Sequence, residues 1–403
     1  MTVPPSSLPV RPVIRLKPKA DALRLRRGAP WVYADDIVTD RRTKAIAPGS
    51  LAELQDAERV DIGLVAVNGL SKIMVRMLDP DTRAAVDQAW FEARIARALA
   101  LRERLYDTPF YRLIHAEGDG LPGVVIDRFG ETCVVQPNAA WAEVRFDMLV
   151  EALVAVTGIS TVYKNASGRT RTLEGLDDVS AVVRGELDGP VPVVMNGATY
   201  IADIAGGQKT GLFYDQRPNH AFAASLASGA RVLDVFSHVG GFGLAALAGG
   251  AQSALAVDGS QAALDLAAQG AEASGVAARF ATRKGDAFKV MEALQGEGEA
   301  FDLVVADPPA FAPSKKALQN GLTAYARVAS MAARLVAPGG YLVLCSCSHA
   351  ADLSKFRQAS LRGVAKSGRA AQLIHTGFAG ADHPMHSALA ESGYLKALFL
   401  RLD

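Results

Sequence analysis

Beyond residue 230, four short runs (RVLDVF, SALAVD, FDLVVAD and YLVLCS) are apolar at nearly every position, and longer Ala/Leu-rich stretches separate them. A strand without hydrophobic alternation must be covered on both faces, and parallel neighbours need a crossover between them. The pattern therefore confines this part of the chain to an α/β sheet sandwiched by helices. The last two apolar runs, AAQLIHTGF and YLKALFLRL, are separated by a stretch too short for a full crossover helix. They predict an antiparallel addition to an otherwise parallel sheet.

The upstream half reads differently. At 403 residues the chain exceeds one ordinary core, so several domains are expected. Residues 10–79 hold short Val/Ile-rich segments (VIRLK, SLAELQD, IGLVAVN, IMVRML) broken by turn formers such as Asn68-Gly69, the signature of a small β-barrel. Residues 80–190 open with a helix in which Phe91, Ile95, Ala98, Leu99 and Leu105 share an apolar side, while Arg94, Arg97, Arg102 and Arg104 suit the wetter one. Hairpins are expected around Phe129-Gly130 and Asn196-Gly197, with an α+β unit between the barrel and a third domain over 191–403.

Composition narrows the class. Half the residues are apolar and 21% charged, as in a globular protein, and no run approaches the roughly 20 apolar residues that span a bilayer. The N-terminal stretch lacks the apolar core of a signal peptide. Cys345 and Cys347, two apart on one strand, point to opposite faces and do not form a disulfide framework with Cys133. A cytoplasmic protein without a membrane partner is expected. The net charge of +1 says little, but residues 1–27 carry seven basic side chains against one acid. Arg15, Lys17, Arg26 and Arg27 are candidate phosphate contacts there, as are Arg169 and Arg171 in KNASGRTRTLEGL, with a solvated surface as the competing reading.

The strand ends carry the chemistry. DVFSHVGGFG places Asp234, Phe236 and Gly240 in a glycine-rich strand-to-helix turn that lets a ligand approach the backbone. It matches neither the phosphate loop nor the strict dinucleotide fingerprint. Asp258 closes the next strand, 24 residues on, where an acid accepts hydrogen bonds from a ribose diol; Ser260 follows as a helix cap. Asp286, Ala287 and Phe288 follow the third strand, where the acid can take an adenine amine beside an apolar wall. VVADPPAF then presents Asp307 with two prolines stiffening its loop, and LCSCSH ends the neighbouring strand at Cys347. No Cys/His spacing demands a metal.

Taken with LRRGAPWVY, GQKTGLFYDQR, VDGSQAAL and ADHP, these motifs resemble the bacterial class I methyltransferases that modify cytosine C5 in large-subunit ribosomal RNA and carry an N-terminal PUA domain. The resemblance covers nearly all of the chain after residue 10. It implies a Rossmann-like catalytic domain with a PUA barrel and a central RNA-presenting domain, and S-adenosylmethionine as cofactor. It brings Gln208, Lys209, Thr210, Gly211 and Gln216 to the cofactor, with Asp215 and Arg217 supporting them, and Asp234 and Gly240 to its methionine portion. It further implies that Asp307 lies near both cofactor and base, and that Cys347 is the nucleophile.

Cytosine C5 is a poor nucleophile until a thiolate adds at C6, so this chemistry needs a soft nucleophile, a group stabilising charge on the ring and a base. Cys347 and Asp307 fill the first two roles in this reading, and Cys345, deeper in its strand, is a core residue. The DPPAF segment has no cysteine, which departs from the two-cysteine arrangement of many RNA cytosine-C5 enzymes and leaves the base unassigned. Roles for Lys315, Lys316, His238 and His383 are left open, as is a homodimer. The expected substrate is naked or partly assembled 23S rRNA. The competing functions are a guanine-N2 rRNA methyltransferase, which needs no cysteine nucleophile, a small-molecule methyltransferase and a non-catalytic RNA-binding protein.

Overall fold

The computed structural model describes residues 10–206 and 211–403. The described residues fall into two compact units, one of residues up to Asp188 with Asp382–Ser392, the other of residues from Gly189 to Ala381 with Gly393–Asp403.

Among the described residues, the first unit holds two five-stranded sheets. Strands β1 (Val13–Arg15), β2 (Trp31–Val32), β3 (Ser50–Gln55), β4 (Asp61–Val67) and β5 (Val75–Asp79) lie in the order β1-β3-β4-β5-β2 around a core that includes Ile14, Leu54, Val65 and Val75. The Asn68-Gly69 turn forms as expected, with the Asn68 carboxamide oxygen accepting from the Leu70 amide at 3.0 Å. Strands β6 (Phe110–His115), β7 (Val124–Phe129), β8 (Thr132–Pro137), β9 (Thr161–Lys164) and β10 (Ala181–Arg184) form the second sheet. The helices Gln88–Leu105 and Phe146–Thr157 contribute Phe91, Ile95, Ala98, Leu149 and Leu153 to its core.

One residue of the first helix corrects its expected amphipathic pattern. Arg102 is fully buried rather than on the wet side. Its guanidinium forks onto both oxygens of Asp119 at 2.7 Å each and donates to the backbone carbonyls of Arg112 and Asp382. A buried guanidinium is stable only when paired this completely. The 3.6-residue period alone could not foresee partners from other segments.

In the second unit, β11 (Val191–Met195) and β12 (Ala198–Ala202) form the expected hairpin, with Asn196 and Gly197 both at positive φ as a primed turn requires. A seven-stranded sheet follows, built from β13 (Arg231–Val235), β14 (Ser253–Asp258), β15 (Phe280–Lys284), β16 (Phe301–Ala306), β17 (Val336–Ser346), β18 (Ala371–Gly377) and β19 (Lys396–Leu402). Its order is β15-β14-β13-β16-β17-β19-β18. The first five strands run parallel, and β19 is antiparallel to both β17 and β18, the predicted C-terminal addition. Strand order reverses at β13, so a ligand crevice is expected outside the carboxyl ends of β13 and its neighbours.

Candidate active site

The loop after β13 is held in an uncommon backbone shape. Phe236, His238 and Gly240 all have positive φ, at 64°, 50° and 80°. For the two non-glycine residues this conformation costs on the order of 1–3 kcal/mol each, and it persists where surrounding contacts impose it. Those contacts are present: the Ser237 amide donates to the Val257 carbonyl at 3.0 Å and the His238 amide to an Asp258 carboxylate oxygen at 2.9 Å. Gly241 is required next, because a Cβ there would stand 2.8 Å from the His220 ring.

Asp234 lies beneath this loop, 1% exposed. One carboxylate oxygen accepts from the Gly243 amide at 2.8 Å, and the other has no partner among the described residues. Burial pushes its carboxyl up to about 7; the Gly243 amide pulls the other way and the Asp258 carboxylate adds to the rise. The buried Ser237 hydroxyl also lacks a partner among the described residues. Asp258 accepts from the backbone amides of His238 and Ser260. Ser260 caps the helix Gln261–Ala273. Asp286 caps Ala287–Gly296 with one oxygen, accepting from the Lys289 amide at 3.1 Å. Phe236 stands edge-on to both Phe288 and Phe311, with 6.5 Å between centroids in each pair. An unpartnered buried carboxylate oxygen, a strand-end acid for a diol, a third acid and an aromatic wall suit a nucleoside bearing a cationic tail.

The second half of the site is a hydrogen-bonded chain. Asn219 donates to the Gln216 side-chain oxygen at 2.6 Å, and Gln216 Nε2 donates to Asp307 Oδ2 at 2.9 Å. Gln216 thus bonds the Asp307 carboxylate. Asp215, beside it, accepts from the Tyr394 hydroxyl at 2.6 Å. Strands β16 and β17 run parallel with Ala306 opposite Leu344, so Asp307 and Cys347 follow the two strands at one edge of the sheet.

Cys347 is half-buried between two fully buried serines. The Ser346 hydroxyl donates to the Tyr325 hydroxyl at 2.9 Å, and Tyr325 and Ser348 share a hydrogen bond of 2.7 Å. Ser348 also accepts from the Ala312 amide at 3.0 Å, which ties the DPPAF loop to the cysteine turn. Cys345 is buried, and burial raises its thiol well above the ordinary range.

Several expected residues fall elsewhere. Gln208, Lys209 and Thr210 lie outside the described residues, and Gly211 follows at positive φ, where a Cβ would meet the Asp203 backbone at 2.7 Å. Arg171 corrects the predicted basic patch. It is 1% exposed, and its guanidinium is committed to Glu143, Asp177 and the Pro137 carbonyl, leaving none of it for phosphate. Arg169 is exposed, as are Arg15, Lys17 and Arg27, while Arg26 pairs with Asp56. His383 is buried against His115 and bonded to Asp382 at 2.9 Å. Lys315 and Lys316 are exposed on a short turn. Sequence reasoning missed Tyr325, Ser346, Ser348, Asn219 and Lys396. The lone lysine heading the apolar run KALFL was the one legible signal among them.

The family S-adenosylmethionine-dependent methyltransferase matches residues 158–369, and a PUA-like domain matches residues 14–80. The chain is 35% identical over 382 residues to ribosomal RNA large subunit methyltransferase I of Aeromonas salmonicida, covering 94% of this chain and 96% of that protein. It is 37% identical over 378 residues to the protein of that name from Photobacterium profundum, covering 92% and 95%. A solved structure from Streptococcus mutans, assigned as a SAM-dependent methyltransferase, shares the fold. It gives a TM-score of 0.81 at 20% identity, covering 97% of this chain and all of that one.

Proposed function

The chain belongs to the S-adenosylmethionine-dependent methyltransferases, in the ribosomal RNA large subunit methyltransferase I family, and on that premise we propose that it methylates C5 of a cytosine in 23S rRNA through a covalent adduct between Cys347 and C6. One observation carries the carbon chemistry: Asp307 and the half-buried Cys347 follow the ends of adjacent parallel strands, and Ser348 ties the two loops together.

S-adenosylmethionine, when bound, supplies the electrophilic methyl group that C5 accepts. Asp234 offers its unpartnered oxygen to the ammonium end, and Gly240 allows the backbone to come close. Asp258 accepts from the ribose hydroxyls, with Ser260 fixing the turn beside it. Asp286 takes the adenine amine at the start of the Ala287 helix, and Phe236 and Phe288 wall the ring. The family resemblance assigns Gln208, Lys209, Thr210 and Gly211 to the cofactor as well.

The Cys347 thiolate adds to C6 and moves electron density to C5. Asp307, held by Gln216, binds the N3/N4 edge and stabilises the adduct. A base takes the C5 proton, the C6–S bond breaks and the Cys347 thiolate leaves, restoring the aromatic ring.

Residues 10–79 bind RNA, residues 80–190 present it and residues 191–403 catalyse the transfer. Arg15, Lys17, Arg26, Arg27 and Arg169 supply phosphate contacts. Taking a base out of a helix costs a few kcal/mol, so naked or partly assembled 23S rRNA is the preferred substrate. Equal methylation of finished large subunits would overturn that preference.

The test is to incubate the protein with methyl-labelled S-adenosylmethionine and unmodified 23S rRNA, then identify the labelled nucleoside by mass spectrometry. Labelled 5-methylcytidine, lost in Cys347→Ala while cofactor affinity is retained, is the expected result. Labelled N2-methylguanosine, or normal turnover by the folded variant, refutes the carbon mechanism.

A further inference from the structure

A reactive cysteine needs a reason to ionise, since an ordinary thiol titrates near ~8.5. Several titratable groups surround Cys347. Tyr325 and Cys345 both interact with it electrostatically and are themselves raised by burial, and Asp307 acts on Cys345 from the neighbouring strand. His349 and Asp352 lie in the turn and the helix cap that follow, and Tyr394 packs on His349.

A cation also stands against this group. Lys396 opens β19, and the antiparallel register places it opposite Ser346, the residue before Cys347. It is 4% exposed, an uncommon position for a lysine. No carboxylate lies within salt-bridge distance of it among the described residues. Instead its Nζ donates to the Ser348 carbonyl at 2.8 Å and the Ala351 carbonyl at 2.7 Å. Both carbonyls belong to the turn that begins at Cys347, so the ammonium is fixed within it.

A buried ammonium held only by neutral carbonyls still lacks an anion. Burial lowers the Lys396 pKa, and the attractions that raise it come from Cys347 first and Asp352 second. From this geometry we infer that Lys396 is a positioning residue for Cys347: it fixes the turn that carries the thiol and supplies the cation that favours its thiolate. The inference rests on Cys347 being the nucleophile only for its catalytic meaning; the pairing itself is a property of the protein without RNA.

The experiment is therefore alkylation of the intact protein by iodoacetamide across pH 5.5–10, with the modified cysteine identified by peptide mass spectrometry. The thiolate sulfur displaces iodide and forms the new S–C bond, so the rate follows the ionised fraction. Cys133 and Cys345 are buried with thiols pushed upward, Cys133 to about 12, which leaves the signal to Cys347. The wild-type midpoint is expected below ~8.5. Lys396→Met, similar in length but uncharged, raises it by about one pH unit or more and slows alkylation at pH 7 by about tenfold. Lys396→Arg, which keeps the charge, brings the midpoint back toward wild type.

A wild-type midpoint at or above ~8.5 overturns the proposal with no variant needed. An unchanged profile in a folded Lys396→Met protein overturns it as well. The nucleophile reading fails separately. A low midpoint that rises in Lys396→Met, in a protein whose Cys347→Ala variant still makes 5-methylcytidine, upholds the ion pairing and refutes only the nucleophile.

Discussion

Replacing Asp234 by asparagine removes one ionisation from the core of the catalytic unit and nearly preserves its shape. The amide oxygen still accepts from the Gly243 backbone, so the loop after β13 keeps its anchor. In the wild type, burial holds this carboxyl at about 7 against an ordinary 3.8. At ~1.4 kcal/mol per pH unit, that gap amounts to on the order of 4 kcal/mol, an upper limit because relaxation and water raise the effective dielectric. The sign follows from the folded state binding the proton more tightly than the unfolded one. The contribution is fully present below pH 3.8 and is lost as pH rises through about 7. Between pH 5 and 8, Asp234 alone removes roughly 2–3 kcal/mol of stability from the cofactor-free protein. His115 and His220, lowered by burial to about 2 and about 3, act in the opposite direction below their ordinary 6.5. The difference between wild type and variant therefore isolates Asp234. Urea melts at pH 5, 6, 7 and 8 should show the variant gaining on the wild type as pH rises. Calorimetric binding of S-adenosylmethionine should show the reverse: wild-type affinity climbs through pH 7 as the cationic tail meets a carboxylate, and the variant binds about 10–100-fold more weakly at pH 8. Parallel stability curves would refute the burial argument, and equal affinities would refute the contact with the cationic tail.

Two further perturbations probe the buried polar connections. Gln216→Leu takes a donor from Asp307, and a hydrogen bond to a charged group is worth about 1.5–3 kcal/mol, so kcat should fall about 10–100-fold with KM for S-adenosylmethionine little changed; an unaltered kcat in single-turnover assays would remove Gln216 from the site. Arg102→Leu leaves the buried Asp119 carboxylate with the His115 amide but no cation, and urea unfolding should show a loss of about 3–5 kcal/mol. A loss below about 1 kcal/mol would mean that Asp119 finds solvent or another donor.

What the sequence determined is what repeats locally along the backbone. Continuous apolar runs require strands covered on both faces, and the short C-terminal connection requires an antiparallel return, so the sheet from β13 to β19 was legible in outline. The acids Asp234, Asp258, Asp286 and Asp307 were legible for a related reason: side chains at or just after the ends of parallel strands share an edge, whatever the packing elsewhere. Asn196-Gly197 was readable because only a few residues tolerate positive φ in succession. Tertiary structure alone decided which polar groups meet. Arg102 on a helix looks like a surface charge until Asp119 and the Asp382 carbonyl arrive from other segments. Arg171 is equally ambiguous until Glu143 and Asp177 bury it. Gln216 and Asp307 are 91 positions apart, and Lys396 lies 48 positions beyond the Ser348 carbonyl it holds. Apolar burial is non-directional, so its pattern survives in the sequence. A hydrogen bond demands particular atoms within about 3 Å, and only the completed packing brings those atoms together.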